Sequence, residues 1–215
     1  GLVCYNNQLS TLNVSANTAL TTLDCGGNNL TSLDVTAATG LTYLNCSGNS
    51  LSSLNVTGLT ALTTIQCPNN QLTSLNVSGN TALAALGCQG NLLTSLDLSS
   101  NPALTSLACH SNQLTSLNIK NGNNTNLSGF AANANQLSCI EVDDVAYMNA
   151  NWSSAKDAGA TYSTDCSCII TIPDANFKSA LLANAAINTN SDGEIQCYEA
   201  AAYTGTIFVF NSNIS

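Results

Sequence analysis

Apolar residues recur along the first two thirds of the chain in a frame of constant length. In Leu20 to Gly40, LTTLDCGGNNLTSLDVTAATG, the frame reads Leu20, Leu23, Cys25, Leu30, Leu33 and Val35, with Asn28 between its halves. It returns in equal steps at Cys46, Cys67, Cys88 and Cys109 and runs back to Cys4. A period of about 20 residues marks a solenoid in which each repeat is one coil. Around Leu23 and Cys25 the alternation is that of a short strand: these two point inward, while Thr22, Asp24 and Gly26 point outward. One coil cannot bury its own leucine face, so stacked coils must share a core. The pattern predicts an α/β-type repeat solenoid dominated by short parallel strands, with about seven coils over residues 1–142. At strand spacing such a stack is about 34 Å long.

Two further ladders accompany the leucines. Asn7, Asn28, Asn49, Asn70, Asn91, Asn112 and Asn135 recur at one turn of each coil. An amide there can bond backbone groups that a tight bend leaves unpaired. Cys4, Cys25, Cys46, Cys67, Cys88 and Cys109 form the other ladder. A linear column of thiols does not converge tetrahedrally, so it reads as small apolar side chains between coils rather than as a zinc site. Each coil is also expected to carry a second short strand, Leu33-x-Val35 in the second coil. Its outward residues barely change: Ser32, Ser53, Ser74, Ser95 and Ser116 make one row, and Asp34, Asn55, Asn76, Asp97 and Asn118 the next. The outward rows of the first strand vary instead. One runs Val3, Asp24, Asn45, Gln66, Gly87, Ala108, Ala131; the other runs Tyr5, Gly26, Ser47, Pro68, Gln89, His110, Asn133. Identical coils demand identical structural residues. The variable face, expected to be concave, is therefore the candidate for recognition, against the alternative of drift on an unconstrained surface.

The frame breaks twice. The step from Cys109 to Ala132 is longer than the others, and the extra length falls in the Gly/Asn-rich stretch Lys120 to Leu127. Residues 143–167 then leave the pattern as a C-terminal cap, with Val145, Tyr147, Met148 and Trp152 placed to cover the open end of the last coil. Cys139, Cys166, Cys168 and Cys197 lie outside the ladder and permit three pairings. A Cys139–Cys166 bridge would tie the cap to the final strand, a closure worth about 3 kcal/mol, with Cys168 and Cys197 as a second pair. Residues 168–215 begin something new. Pro173 to Ala186 reads as a helix with Phe177, Ala180 and Leu181 on one face and Asp174 at its first turn. The segment NTNSDGEIQCYE, residues 188–199, fits the spacing of an EF-hand-type calcium loop. Asn188, Asn190 and Asp192 would supply oxygens, Gly193 the sharp turn, Glu194 its carbonyl, and Glu199 the twelfth-position carboxylate. Asn in the first place, where Asp is usual, weakens such a site. The alternative is a helix–turn–helix held by Asn and Asp turns without metal.

Composition narrows the partners. Charged residues are 7% of the chain and the net charge is −9, with three lysines as the only full cations. A phosphate backbone or an anionic membrane surface needs a basic face, so neither nucleic acid nor a lipid headgroup layer is an expected partner. The longest apolar run, Ala180 to Ile187, is too short to span a bilayer. Only Asp24, Asp34 and Asp97 among the acids fall within residues 1–138; the rest lie between Glu141 and Glu199, which marks a change of element near residue 139. Clustered cysteines beside a cap, with abundant Ser, Thr and Asn, point to an extracellular, oxidising setting. Catalysis needs convergent titratable groups. The single histidine, His110, has no acid in the rows beside it, and Asp143 and Asp144 read as a solvated cap edge, so no enzyme is expected.

The LTTLDC-type strands, the NNQLTSLNV segment and the cysteine ladder resemble secreted bacterial leucine-rich-repeat proteins of the flavobacterial type and, more distantly, internalins. CIEVDDVAYMNANWSSAKDAGATYSTDC resembles the C-terminal cap of that family. IPDANFKSALLANAAINTNSDGEIQCYEA resembles the N-terminal cap that opens such arrays, here in a truncated second array. The resemblance implies surface or secreted repeat proteins used for adhesion or protein contact, and it brings no catalytic residues. An opening cap after a closing cap, with a start in mid-coil and no signal peptide, reads as a piece of a longer protein. Its first coil, at Leu2 and Cys4, is then expected to expose an apolar end that stacks on a neighbouring molecule.

The functional expectation is an extracellular or cell-surface binding module that meets a protein or glycan with Tyr5, Asp24, Tyr43, Asn45, Gln66, Gln89, His110 and Asn133. Neutral amides and tyrosines can hydrogen-bond and stack without charge steering. The alternative is a structural spacer, or an ice- or polysaccharide-facing surface built on the uniform Ser/Asn/Thr rows.

Overall fold

The computed structural model describes residues 1–167, 172–189, 194–205 and 207. In chain order the strands are β1 (Leu2–Val3), β2 (Thr22–Asp24), β3 (Tyr43–Asn45), β4 (Thr64–Gln66), β5 (Ala85–Gly87), β6 (Ser95–Asp97), β7 (Ser106–Ala108), β8 (Ser116–Asn118), β9 (Gly129–Ala131), β10 (Cys139–Glu141) and β11 (Thr161–Ser163). The helices are α1 (Val145–Trp152), α2 (Ala175–Leu182) and α3 (Cys197–Ala202), with a 3₁₀ turn at Asn124–Asn126.

Seven strands, one per coil, form a single parallel sheet in the order β1-β2-β3-β4-β5-β7-β9. The register advances one coil without slip: Leu23 faces Leu44, Leu44 faces Ile65, and Ile65 faces Leu86. Each of these side chains is buried, and so are the columns that close the coil behind them, Leu30–Leu51–Leu72–Leu93–Leu114 and Val35–Val56–Val77–Leu98–Ile119. Full burial of one such side chain stabilises by about 1.5–3 kcal/mol, and every column exists only because the next coil covers it.

The second strand is present in fewer coils than the sequence predicts. It forms as β6, β8 and β10 and is completed by β11 of the cap, in the order β11-β10-β8-β6. Earlier coils keep only isolated bridges from Asn13 to Asp34 and from Asp34 to Asn55. The reason is local competition. Asn13, Asp34, Asn55 and Asn76 each accept the backbone N–H two residues on, from Ser15, Thr36, Thr57 and Ser78, at 3.0 Å. A turn satisfied by its own side chain does not need a ladder bond. Where β11 offers a straight edge the ladder bonds form as well, from Leu98 to Asn118 and from Ile119 to Glu141.

The asparagine ladder binds coil to coil. Asn70 Nδ2 donates to Cys46 O at 3.0 Å and Cys67 O at 3.2 Å, and its Oδ1 accepts Leu51 N–H at 3.0 Å. Asn28, Asn49, Asn91, Asn112 and Asn135 repeat this pattern of two carbonyls and one N–H. Next to it every coil has one residue in the left-handed region, Gly27 at φ 63°, Gly48 at 59° and Gly90 at 68°, with Ser111 and Ala134 both at 56°. The ladder thiols Cys25, Cys46, Cys67, Cys88 and Cys109 are free and buried, while Cys4 is only half-buried. Burial pushes the Cys25 and Cys109 thiols up to about 12 and those of Cys46, Cys67 and Cys88 well above their ordinary value. A thiol in that state is a small hydrophobe and a poor nucleophile.

The cap imitates a further coil. Ala132 N–H donates to Ala155 O at 2.7 Å, as Cys109 N–H does to Ala131 O one coil earlier. The Asp157 carboxylate accepts Asn135 N–H and Leu137 N–H, both at 2.9 Å, and so stands where the next coil's asparagine would. Met148 is fully buried, Val145, Tyr147 and Trp152 pack on the same core, and Phe130 meets Trp152 edge-on at 6.2 Å. Asp144 caps α1 by accepting Tyr147 N–H at 2.9 Å. A Cys139–Cys166 disulfide, with Cα atoms 5.9 Å apart, ties β10 to the end of the cap. Cys168 and the side chain of Cys197 lie outside the described residues.

In the C-terminal element Asp174 caps α2 by accepting Phe177 N–H at 2.7 Å. The helix is shorter than the predicted span to Ala186, because Asn184 Oδ1 accepts Ala186 N–H and turns the chain. Its apolar face is Phe177, Leu181 and Leu182, packed with Ile187 and Ile195; Ala180 stays out of this cluster.

Candidate recognition surface

The predicted recognition residues all lie on the outward face of the seven-stranded sheet, but they do not form one uniform surface. Parallel strands in register put each coil's second and third outward positions into two straight rows. At the start of the stack the polar groups are committed to the solenoid. Asp24 Oδ1 accepts Gly26 N–H at 3.2 Å and Asn45 Nδ2 at 3.0 Å, and Asn45 Oδ1 accepts Ser47 N–H at 3.0 Å. Asp24 and Asn45 thus brace neighbouring strands. Tyr43 is half-buried beside them, whereas Tyr5 is 52% exposed.

The picture changes at coil four. No hydrogen bond ties the Gln66 side chain among the described residues. It folds over Gly87: a Cβ there would come within about 2.2 Å of Gln66 Oε1. One coil on, Gln89 has its Oε1 shielded from solvent with no partner. His110 is half-buried, and its Nδ1 meets Ser111 Oγ at 3.1 Å. Asn133 is exposed. Between these side chains the rows hold only Ala85, Gly87, Ser106, Ala108, Gly129 and Ala131. The result is a low floor of small residues edged by amides and one imidazole. Orphaned amide oxygens near a surface are costly unless something donates to them. Sequence reading missed the difference between the committed and uncommitted halves of the row, since the signal is a pairing between coils and not a residue type.

The calcium expectation divides between described and undescribed residues. Asn190 and Asp192 lie outside the described residues. Asn188 is 6% exposed; its Nδ2 donates to Leu182 O at 3.2 Å, while its Oδ1 is buried without a partner. Glu199 is 1% exposed and accepts Thr189 N–H at 2.7 Å and Gln196 N–H at 3.1 Å through its two oxygens. The Glu194 side chain pairs with Lys178 at 2.6 Å. A buried amide oxygen with no donor and a buried carboxylate are the hard oxygen ligands calcium takes, so these residues fit the ion. Among the described residues no group of three His, Cys, Asp or Glu converges, and no helix is long and apolar enough to cross a membrane.

A parallel-strand stack with leucine columns, an asparagine ladder and a buried cysteine column defines a leucine-rich-repeat solenoid. The solved structures it is similar to are of that kind. The functional domain of InlJ from Listeria monocytogenes, described as including a cysteine ladder, is 32% identical at a TM-score of 0.51, over 69% of this chain and 41% of that one. The leucine-rich repeat domain of APL1B is 23% identical at the same TM-score, over 68% of this chain and 50% of that one. The chain thus spans half the length of these structures or less. No family profile matches the chain, and no curated protein matches it.

Proposed function

We propose that the chain is an extracellular or cell-surface recognition module that holds a protein or glycan ligand on the outward face of the seven-stranded sheet, centred on Gln66, Gln89, His110 and Asn133. One observation carries this reading. Along that face the polar side chains change from ladder-committed ones, Asp24 and Asn45, to ones with unspent hydrogen-bonding capacity over a floor of small residues. Solenoids commonly bind through an extended, regularly spaced surface of this type. The disulfide in the cap suits an oxidising compartment. Tyr5, Tyr43, Asp24 and Asn45 then flank the site or support it.

The test is binding of the chain to an array of glycans and surface proteins, beside a Gln66→Ala/Gln89→Ala/His110→Ala variant checked for folding by circular dichroism. Binding that the variant loses supports the reading. Binding that survives moves recognition elsewhere on the molecule. The orphaned Asn188 Oδ1 supports a second, smaller proposal: the C-terminal element takes Ca²⁺ through Asn188 and Glu199, together with Asn190, Asp192 and the Glu194 carbonyl.

A further inference from the structure

The uniform rows on the opposite side of the solenoid are interrupted at one place. Isolated bridges run from Asn13 through Asp34 to Asn55, and the sheet β6-β8-β10-β11 begins at Ser95. No strand pairing joins Leu75–Val77 of coil four to β6 of coil five. At that interruption lies a cleft of about 350 Å³, floored by Leu75 and walled by Asn76 and Asp97 with the hydroxyls of Ser74, Ser78, Ser95 and Ser100.

Two features of this cleft come from coil-specific residues. Asn76 faces Asp97, an amide opposite a carboxylate. Ser100 stands where the other coils have Ala16, Ala37, Gly58 and Gly79. Each acidic or amide side chain spends one oxygen locally: Asn76 Oδ1 accepts Ser78 N–H at 3.0 Å and Asp97 Oδ1 accepts Ser99 N–H at 2.9 Å. That fixes both side chains. It leaves Asn76 Nδ2, Asp97 Oδ2 and the four hydroxyls without a protein partner among the described residues. Other rows spend their hydroxyls: Thr63 Oγ1 donates to Thr42 O and Thr105 Oγ1 to Ala84 O.

The cleft is not a slot for an added strand. Asn101 Nδ2 donates to Val77 O at 3.0 Å, and Leu92 N–H donates to Leu72 O at 2.9 Å, so coils four and five stay adjacent on both sides of the gap. An occupant must be small and sit on the surface. Its chemistry follows from the walls. They contain no cation, which excludes phosphate and carboxylate ligands. They contain one carboxylate with one oxygen already engaged, which is too few ligands for a metal ion. They offer fixed donors and acceptors together over an apolar floor, which matches a compact ligand bearing several hydroxyls and a C–H face. We propose that this cleft is a binding subsite for a single neutral sugar residue, independent of the ligand held on the opposite face.

The experiment is a ¹⁵N–¹H NMR titration of the whole chain with glucose, galactose, mannose and N-acetylglucosamine in turn, up to tens of millimolar, with free lysine and inorganic phosphate as comparators. The expected result is a saturable shift, with at least one sugar, confined to amides within 74–78 and 95–100. Asp97→Asn keeps the local turn bond, as Asn76 shows, and removes the charged acceptor. It should weaken that sugar about tenfold without altering the rest of the spectrum, while Gln89→Ala on the other face leaves the titration unchanged. The proposal is overturned if no sugar moves these amides, if Asp97→Asn titrates as the wild type does, or if lysine moves them and the sugars do not.

Discussion

The asparagine ladder makes a quantitative claim that Asn70 can test. Replacing Asn70 by Ala leaves Cys46 O, Cys67 O and Leu51 N–H without their partner, and all three bonds lie in the buried turn between coils three and four. Each buried polar group left unsatisfied costs about 1–3 kcal/mol, so Asn70→Ala should lose about 3–5 kcal/mol once some water entry is allowed. That is a large share of the stability of an ordinary domain, about 5–15 kcal/mol. Asn7→Ala is the internal control. Asn7 is exposed and donates only to Cys4 O and Tyr5 O of its own coil, so its loss should cost under about 1 kcal/mol.

Asn70→Asp separates donor from acceptor at the same volume. Its carboxylate can still accept Leu51 N–H, but it then places negative charge against two carbonyl oxygens. Burial and those carbonyls favour the protonated acid, so the folded-state pKa rises above the unfolded value of about 3.9. A raised carboxyl pKa gives stability that is fully present below the unfolded pKa and is lost as pH rises through the folded one. The deficit of Asn70→Asp relative to wild type should therefore be smallest near pH 3.5 and grow toward neutrality. Urea unfolding followed by circular dichroism at several pH values, with hydrogen exchange at the Leu51 amide, reads both effects. The reasoning fails if Asn70→Ala costs no more than Asn7→Ala, or if the Asn70→Asp deficit is flat with pH.

Three further outcomes follow from the same geometry. Asp157→Ala removes the acceptor of two backbone N–H groups at the last coil and should lower stability by about 2–3 kcal/mol, read as a shifted urea midpoint. In native protein at pH 8, site-resolved mass spectrometry after maleimide labelling should find Cys4 modified first and Cys46, Cys67 and Cys88 untouched; rapid labelling of the buried three would show that the stack opens. Calcium should bind the C-terminal element with a dissociation constant of about 10⁻⁴–10⁻³ M by calorimetry, and Glu199→Gln should abolish it; equal heats from the variant would place the ion elsewhere.

Much of the fold was legible because it is a one-dimensional problem. A frame that repeats Leu23, Cys25, Asn28 and Leu30 in coil after coil has one way to hide its leucines, and the observed register of Leu23, Leu44, Ile65 and Leu86 is that way. The cap was legible in part. Apolar Met148 and Trp152 marked it, and Cys166 had a partner within reach at Cys139. Asp157 was not legible, since its role depends on standing one coil beyond Asn135 with no sequence similarity to the ladder it continues. The second strand was overread for a related reason. TSLNVS in coil four and TSLDLS in coil five have the same alternation, yet strand pairing exists only where a neighbouring edge is straight, and alternation carries no information about the neighbour.

The candidate surface shows the same limit more sharply. Reading outward positions along the rows ranked Asp24, Asn45, Gln66 and Gln89 together, because all four are polar and vary between coils. What separates them is where each side chain spends its hydrogen bonds. Asp24 and Asn45 are one shift of a coil apart, so the amide of one reaches the carboxylate of the other at 3.0 Å and both become struts. Gln66 faces Gly87, which offers nothing to bond, and Gln89 faces Ala108 and His110, which leave its Oε1 unanswered. Recognition capacity on such a face is thus a property of adjacent pairs. A coil gains it when its neighbour is small, and loses it when its neighbour is complementary. On this account Gly87→Asn should give Gln66 a partner, leave stability within about 0.5 kcal/mol, and weaken ligand binding at the sheet face. A variant that binds as the wild type does would show that the uncommitted amides are idle.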